Sequence, residues 1–292
     1  MNAPVAAGTD KPWFEETLYP DIGQRFRQGT VHFRFSTGLQ ELVIFENPVM
    51  GRIMALDGVI QTTEGDEFIY HEMLTHVPIL AHGAVRNVLI IGGGDGGMLR
   101  RCLEHPDIRR VTMVEIDQAV VDMSIAHLPS ISAGAFDDPR THLVIADGRD
   151  FIAQCAAGAY DVIIVDSTDP AGPGEVLFTQ DFYAGCKRCL TPGGILVTQN
   201  GVPFFQPDEL RNTHQRFQRL FADASFYVAT VPTYYGGFMA FGWGTDNPAL
   251  RRQTAEHIRP RFAAAGLSTR YYTPDIHTAA FALPQFMLNI LA

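Results

Sequence analysis

The chain has 292 residues, 46% of them hydrophobic and 18% charged, which is enough apolar sequence to form one or two folded domains. Its 22 Lys and Arg residues and 32 Asp and Glu residues give a net charge of −10, which argues against a nucleic-acid partner because such proteins usually carry a basic patch. No stretch approaches the roughly 20 apolar residues of a membrane span, and the N-terminus lacks a basic region followed by an apolar segment. We therefore expect a cytoplasmic protein with no membrane partner.

The cysteines favour buried thiols over a disulfide framework or a metal site. Four cysteines are too few to staple a chain of this length, and only Cys186 and Cys189 lie close together in sequence. A metal site there would need two further ligands, and no nearby Cys or His cluster supplies them. We expect no bound metal, with Cys102, Cys155, Cys186 and Cys189 as ordinary thiols.

The first part of the chain is typical of a small antiparallel β domain. Between Val31 and Gln61, short β-rich runs alternate with turn sequences, which is the pattern of strands joined by tight turns. The turns are marked by the dipeptides Thr37-Gly38, Asn47-Pro48 and Asp57-Gly58. We assign residues 1–76 to this N-terminal domain and residues 77–292 to a second domain.

From about Glu67 onward, helical segments alternate with short apolar strands, which is the pattern of a doubly wound α/β sheet. The predicted strands are apolar on both faces, as expected where helices cover two sides of a sheet; they are Val88–Ile91, Val111–Val114, Leu143–Ala146, Val162–Val165 and Ile195–Thr198. The predicted helices are the segment that begins near Glu67, then Met98–His105, Gln118–His127, Thr179–Leu190 and Asp208–Phe221. Two late runs, SFYVATVP and GFMAFGWG, predict further strands at an antiparallel edge.

Three strand ends of this sheet predict a nucleoside site. The first strand runs into Gly92–Gly97, where glycines allow a sharp turn and a close approach of a ligand to the backbone. Glu115 ends the next strand twenty residues beyond Asp95, the spacing at which a carboxylate meets ribose hydroxyls. Asp147-Gly148 ends the third strand and is placed to contact an adenine edge. Since Asp95 lies inside the glycine turn, where a pyrophosphate would meet an anion, a cationic nucleoside is favoured over a dinucleotide.

The fourth strand adds more acidic residues to the same edge. It ends at Asp166 and continues through Asp169 into a loop rich in Pro and Gly, which can cover a ligand and reopen. Each residue alone is also compatible with an ordinary strand end or a turn cap. Together with Asp95 and Glu115 they make four carboxylates in one crevice, an arrangement that is unfavourable unless a cation lies among them.

The motifs YHEMLTHVP, VLIIGGGDGG, VEID, DVIIVDSTDPAGPGE and PTYYGG occur in this order between about Thr30 and Leu288, and they resemble the spermidine synthase family of polyamine aminopropyltransferases. The resemblance implies a Rossmann-like, methyltransferase-type sheet with a small N-terminal β domain, assembled as a homodimer or homotetramer. It implies transfer of the aminopropyl group of decarboxylated S-adenosylmethionine to putrescine, giving spermidine and 5′-methylthioadenosine. The small molecules are substrates, so no separate cofactor is expected.

The resemblance also implies roles for individual residues. Asp166 would be the catalytic base, and Tyr70 and Tyr234 would lie near the attacking amine. The donor-binding residues would be Gln40, Asp95, Glu115, Asp147, Gly148 and Pro173. The amine-binding residues would be His71, Asp95, Asp166 and Asp169.

Two positions depart from the commonest family pattern. Gly65 stands where an Arg is usual, which puts in doubt a charge contact near the entrance of the site, and Ala146 precedes Asp147 where an acidic residue or Gly is frequent. Neither change removes a proposed catalytic group. The acceptor stays open among putrescine, cadaverine, agmatine and spermidine, because channel length depends on packing.

Two other functions share these sequence features. An S-adenosylmethionine-dependent methyltransferase would use the same glycine turn and Glu115, but it must accommodate a donor carboxylate that Asp95 disfavours. A non-catalytic nucleoside or polyamine binding protein is the other alternative, and Asp166 with its neighbouring tyrosines argues against it.

Overall fold

The structure is a computed structural model that describes residues 12–167 and 176–292. It divides into two compact units between Gly65 and Asp66. We placed the boundary after residue 76, which falls inside a continuous helix, α1 (Glu67–His82). Met73, Leu74 and Val77 of this helix are fully buried in the core of the second unit, and the helix therefore belongs to that unit from its first turn.

The first unit is built of antiparallel strands. The strands are β1 (Trp13–Glu15), β2 (Arg25–Arg27), β3 (Val31–Ser36), β4 (Glu41–Asn47), β5 (Gly51–Leu56) and β6 (Val59–Thr63). The first two form a hairpin pair, and the other four form a sheet in the order β3-β4-β5-β6. Asp57 and Gly58, with φ values of 49° and 81°, form the tight turn predicted between β5 and β6. A small core of Val43, Phe45, Ile53, Ala55 and Ile60 supports the sheet.

The second unit contains a seven-stranded sheet in the order β12-β13-β11-β10-β7-β8-β9. Its strands are β7 (Asn87–Gly92), β8 (Arg110–Glu115), β9 (Thr141–Ile145), β10 (Tyr160–Asp166), β11 (Leu190–Gln199), β12 (Asp223–Thr230) and β13 (Phe238–Thr245). Strands β7 to β11 are parallel, and β13 runs antiparallel to both of its neighbours. The predicted fold class, including the antiparallel edge, is confirmed.

Helices cover both faces of this sheet, as the strands that are apolar on both sides require. Besides α1, they are α2 (Gly97–Leu103), α3 (Gln118–His127), α4 (Pro129–Ser132), α5 (Gly148–Gln154), α6 (Gln180–Cys189), α7 (Pro207–Leu220), α8 (Ala255–Ala265), α9 (Pro274–Ala279) and α10 (Gln285–Leu291). One hydrophobic core contains residues of α1, α2 and α8, and the other contains residues of α5, α6 and α7. The sheet therefore lies between two helical layers.

The described residues show neither a metal cluster nor a membrane span. Within 12–167 and 176–292, no group of three or more His, Cys, Asp or Glu side chains is arranged to hold a metal ion. No helix of that part of the chain has the length and apolar character to cross a membrane. Cys102, Cys186 and Cys189 are buried, and Cys155 is partly buried.

Candidate active site

The site lies at the edge of the seven-stranded sheet where the parallel strands β7, β8 and β10 end. Parallel neighbours bring their carboxyl ends to one edge, and here Gly92 of β7 lies opposite Asp166 of β10. The backbone N–H of Gly93 donates to the carbonyl oxygen of Asp166 at 3.1 Å. Glu115 ends β8 on the other side of β7. The acidic strand ends predicted from the sequence are therefore close together.

The glycine turn packs tightly against the residues that end β10 and β8. Gly92 and Gly93 have φ values of 84° and 73°, in the left-handed region that favours glycine. A Cβ at Gly92 would lie 2.0 Å from the carbonyl oxygen of Asp166, and one at Gly94 would lie 2.9 Å from Oε2 of Glu115. Side chains at these positions would push the strand ends apart.

Asp166 is joined to Tyr70 of α1. The Tyr70 hydroxyl donates to Oδ1 of Asp166 at 2.6 Å, a short charge-assisted hydrogen bond. The Tyr70 ring is buried and meets the ring of Tyr234 edge-on, with centroids 5.5 Å apart and planes at 82°. The structure thus brings the three predicted catalytic residues together.

The environment of Asp166 favours a base that works near neutral pH. Burial raises the pKa of Asp166 to about 6, and the nearby Asp95 charge acts in the same direction. The positive charge of His71 and the hydrogen bond from Tyr70 oppose this shift. A carboxylate with this pKa is ionised at pH 7 to 8 and still accepts a proton more readily than an ordinary Asp.

His71 lies between two carboxylates beside Asp166. Its Nδ1 is 2.7 Å from Oε2 of Glu67, and its Nε2 is 3.3 Å from Oδ2 of Asp95. Burial alone would lower the pKa of His71, but Asp95 and Glu67 together raise it to about 10. The backbone N–H of Gly97 holds the other oxygen of Asp95 at 2.8 Å.

Glu115 and Asp147 lie on the donor side of the predicted site. Burial raises the pKa of Glu115 to about 7, although backbone N–H groups including that of Asp117 stabilise its charge. Asp147 caps the N-terminus of α5, where its Oδ1 accepts from the N–H groups of Arg149 at 2.7 Å and Asp150 at 3.3 Å. Gly148 is buried and packs closely against Ile91, since a Cβ at Gly148 would lie 2.5 Å from Cγ2 of Ile91.

Two family models match this chain over both units. The spermine/spermidine synthase domain matches residues 67–254, and the spermidine synthase tetramerisation domain matches residues 12–64. The chain belongs to the spermine/spermidine synthase family. It is therefore an enzyme, a transferase of the aminopropyltransferase type.

Individual relatives are similar over nearly the whole chain. Polyamine aminopropyltransferase 1 of Pseudomonas aeruginosa is 61% identical over 278 residues, which cover 95% of this chain and 97% of the relative. The polyamine aminopropyltransferase of Escherichia coli is 56% identical over 283 residues, 97% of this chain and 98% of the relative. These identities support the same class of enzyme for this chain.

Two solved structures share the fold. A spermidine synthase in complex with the transition-state analogue AdoDATO has a TM-score of 0.91 and 35% identity, and the match covers 97% of this chain and 96% of that chain. The spermidine synthase from Thermotoga maritima has a TM-score of 0.90 and 34% identity, with coverage of 97% and 95%. The family fold thus extends over both units.

Three predicted site residues remain, and they are Gln40, Asp169 and Pro173. Gln40 belongs to the first unit, where its backbone N–H donates to Oγ1 of Thr37 in the turn between β3 and β4. Asp169 and Pro173 fall in residues 168–175, outside the described part of the chain. Their roles stay predictions.

The two departures from the family pattern leave the cluster intact. Gly65 is the last residue of the first unit, and its N–H donates to the carbonyl oxygen of Met50 at 2.9 Å. The N–H of Ala146 donates to the carbonyl oxygen of Glu115 at 3.0 Å, which continues the pairing of the two strand ends.

Glu67, Arg101 and Asp66 were missed by the sequence analysis. Glu67 lies one helical turn before His71, a spacing that places two side chains on the same helix face. Arg101 of α2 is 3.3 Å from Glu67. Asp66 accepts hydrogen bonds from the N–H and hydroxyl of Thr233, at 2.8 and 2.5 Å, which ties the segment before Tyr234 to the start of α1. The i,i+4 spacing of Glu67 and His71 could have predicted their contact from the sequence. The contacts of Arg101 with Glu67 and of Asp66 with Thr233 join residues far apart in the sequence.

Proposed function

We propose that this enzyme transfers the aminopropyl group of decarboxylated S-adenosylmethionine to putrescine, giving spermidine and 5′-methylthioadenosine. The observation that supports this most directly is the ionisable Asp166, hydrogen-bonded to Tyr70 at 2.6 Å on the same sheet edge as Glu115 and Asp95. Both proposed substrates are cations, and a crevice with several carboxylates suits them. The named relatives catalyse reactions of this class.

The donor sulfonium already activates its carbon, so the protein must align an amine and help it lose a proton. A primary amine with a pKa near ~10.4 is a free base in roughly one molecule per few thousand at pH 7, a deficit of about 4 to 5 kcal/mol. As the general base, Asp166 would accept the proton directly from the bound amine. The amine nitrogen then forms a bond to the aminopropyl carbon, and the carbon–sulfur bond breaks with its electrons returning to sulfur.

The remaining predicted residues would divide between the two substrates. Glu115 would accept hydrogen bonds from the two ribose hydroxyls, while Asp147 and Gly148 would contact the adenine. Gln40 and Pro173 would complete donor binding. His71, Asp95 and Asp169 would hold the amine, and Tyr70 and Tyr234 would orient its attacking end.

The site argues against ordinary S-adenosylmethionine as the donor, the substrate of the methyltransferase alternative. Asp95 would meet the extra carboxylate of that donor in the region where the decarboxylated donor has only an ammonium. Two anions about 4 Å apart at an effective dielectric of about 20 repel by roughly 4 kcal/mol. This repulsion favours the decarboxylated donor by up to about a thousandfold.

We also infer that the enzyme is cytoplasmic and assembles as a homodimer or homotetramer. The match of residues 12–64 to the tetramerisation domain model supports a self-association role for the first unit. Light scattering of the purified protein gives the mass directly, and a particle of two or four 32.2 kDa chains is expected. A single chain at micromolar concentration would contradict the assembly.

The proposal is tested by turnover with defined substrates. The full-length enzyme is incubated with decarboxylated S-adenosylmethionine and, separately, with putrescine, cadaverine, agmatine and spermidine, and the products are followed by mass spectrometry. We expect methylthioadenosine and spermidine in equal amounts with putrescine. Methylated amine from S-adenosylmethionine would instead support a methyltransferase, and binding without turnover would support a non-catalytic role.

A further inference from the structure

A buried chain of alternating charges leads from α2 through α1 to the glycine turn. Arg101 of α2 lies 3.3 Å from Oε1 of Glu67, and the other oxygen of Glu67 lies 2.7 Å from Nδ1 of His71. Nε2 of His71 lies 3.3 Å from Asp95. None of these four side chains exposes more than 8% of its surface.

This geometry determines the charge of His71. A neutral imidazole has one N–H and one lone pair, so one carboxylate would face the lone pair at short range. When both ring nitrogens carry a proton, Glu67 and Asp95 each receive a hydrogen bond. The three groups then sum to one negative charge, which a single substrate ammonium can balance.

Gly97 fixes the ring between the two carboxylates. A Cβ at Gly97 would lie 2.1 Å from Cε1 and 2.2 Å from Nδ1 of His71, so the imidazole packs directly on the Gly97 backbone. The same residue donates its N–H to Asp95 at 2.8 Å. One oxygen of Asp95 is therefore held by the backbone and the other by His71, which leaves the carboxylate a single orientation.

We propose that Glu67 is a positioning residue that keeps His71 an imidazolium and so holds Asp95 ionised and correctly oriented for the substrate ammonium. Arg101 supports it by stabilising the negative charge of Glu67. The role assigned to Asp95 rests on the proposed aminopropyl transfer, whereas the charge of His71 follows from the contacts of the free protein.

The titratable groups that face His71 come from three described parts of the chain. They are Glu67 and the Tyr70 ring on α1, Asp95 in the glycine turn and, as a more distant charge, Asp166 at the end of β10. Burial opposes the charge of His71, but Asp95 and Glu67 hold its pKa at about 10. His71 therefore stays protonated through the neutral range. Without the charge of Glu67, its pKa falls and the proton is lost as the pH rises.

The test compares Glu67→Gln with Glu104→Gln in the full-length enzyme. Gln keeps the shape of Glu67 and removes its charge. Glu104 is a matched control because it also pairs with Arg101, at 3.0 Å. Its substitution by Gln likewise removes one carboxylate charge beside Arg101. Two readouts are used: the ring-nitrogen NMR shifts of ¹⁵N-histidine, with His71 assigned by His71→Gln, and the KM for putrescine and kcat between about pH 6.5 and 9.

In the unmodified enzyme we expect both ring nitrogens of His71 to stay protonated over this range. In Glu67→Gln we expect His71 to titrate within it, and the KM for putrescine to rise about tenfold between pH 6.5 and 8.5 relative to the unmodified enzyme, with kcat changed less than about threefold. Glu104→Gln should match the unmodified enzyme within about twofold.

The proposal is overturned if His71 of the unmodified enzyme is neutral at pH 7.5, a result that does not depend on whether any variant folds. It is also overturned if Glu67→Gln leaves His71 protonated and the KM unchanged at pH 8.5, or if Glu104→Gln has the same effect as Glu67→Gln. An enzyme that transfers no aminopropyl group refutes the proposed function and with it the amine role of Asp95. The charge assignment of His71 is then decided by the NMR titration alone.

Discussion

The carboxylates on the two sides of the site differ in whether the protein supplies them with a cationic partner. On one side, Glu67 and Asp95 are paired with His71, which burial and hydrogen bonding hold between them. On the other, Asp166 and Glu115 form no ion pair with a described residue, and burial raises their pKa values to about 6 and about 7. On the first side His71 offsets part of the negative charge, whereas on the second side burial carries a desolvation cost that bound substrates would relieve. We therefore expect the reacting amine and the ribose hydroxyls to bind on the second side.

The largest expected effect is that of Asp166→Asn. The substitution keeps the shape of the side chain and removes the proton acceptor, so turnover near neutral pH should fall at least about a hundredfold. Donor binding, measured by calorimetry with methylthioadenosine, should be largely kept. Near-normal turnover would show that Asp166 is not the base.

A smaller effect is expected for Asp95→Asn on the choice of donor. Because His71 offsets part of the Asp95 charge, we expect the preference for decarboxylated over ordinary S-adenosylmethionine to fall by about tenfold or more. The measurement is the binding constant of each donor for the unmodified enzyme and for the Asp95→Asn variant. Unchanged discrimination would remove Asp95 from the account of donor selectivity.

Glu115→Gln tests the donor side of the comparison. A carboxylate accepts stronger hydrogen bonds from a diol than an amide does, so the KM for the donor should rise about tenfold above pH 7, where Glu115 is ionised. The difference from the unmodified enzyme should shrink below pH 7 as Glu115 gains its proton. A pH-independent difference would indicate a purely structural role.

The smallest effect is expected for Tyr70→Phe. The Tyr70 hydrogen bond lowers the pKa of Asp166, so its removal should raise that pKa above about 6. Since Asp166 works as the ionised form, activity is lost as the pH falls through its pKa, and the acid limb of kcat/KM should move to higher pH by up to about one unit. At pH 8.5, kcat should fall only several-fold. If the acid limb of kcat/KM does not move, the group that titrates there is not Asp166.

The position of the acidic residues in the site could be predicted from the sequence because they lie at or next to the ends of strands. The apolar runs before Gly92, Glu115 and Asp166 identify parallel strands, and parallel strands end at one edge of a sheet. The resemblance to a family added Tyr70 and His71, which lie on a helix whose position relative to that edge the sequence does not show. The structure brings both side chains to the edge.

The parts that were not predicted depend on long-range packing or on ambiguous local signals. The contact between Glu67 and Arg101 joins two helices and is visible only in the folded protein. Helix α8 contains Pro260, which normally ends a helix, and α5 begins at Gly148, a poor helix former. Asp147 was interpreted as an adenine contact, and its capping of α5 was not foreseen.

A crystal structure with methylthioadenosine and putrescine bound together tests the central claim most directly. We predict one putrescine nitrogen within about 2.6 to 3.2 Å of the Asp166 carboxylate, pointing toward the sulfur of methylthioadenosine, and the ribose hydroxyls on Glu115. Both ligands bound elsewhere, with Asp166 and Glu115 contacting neither of them, would contradict the account.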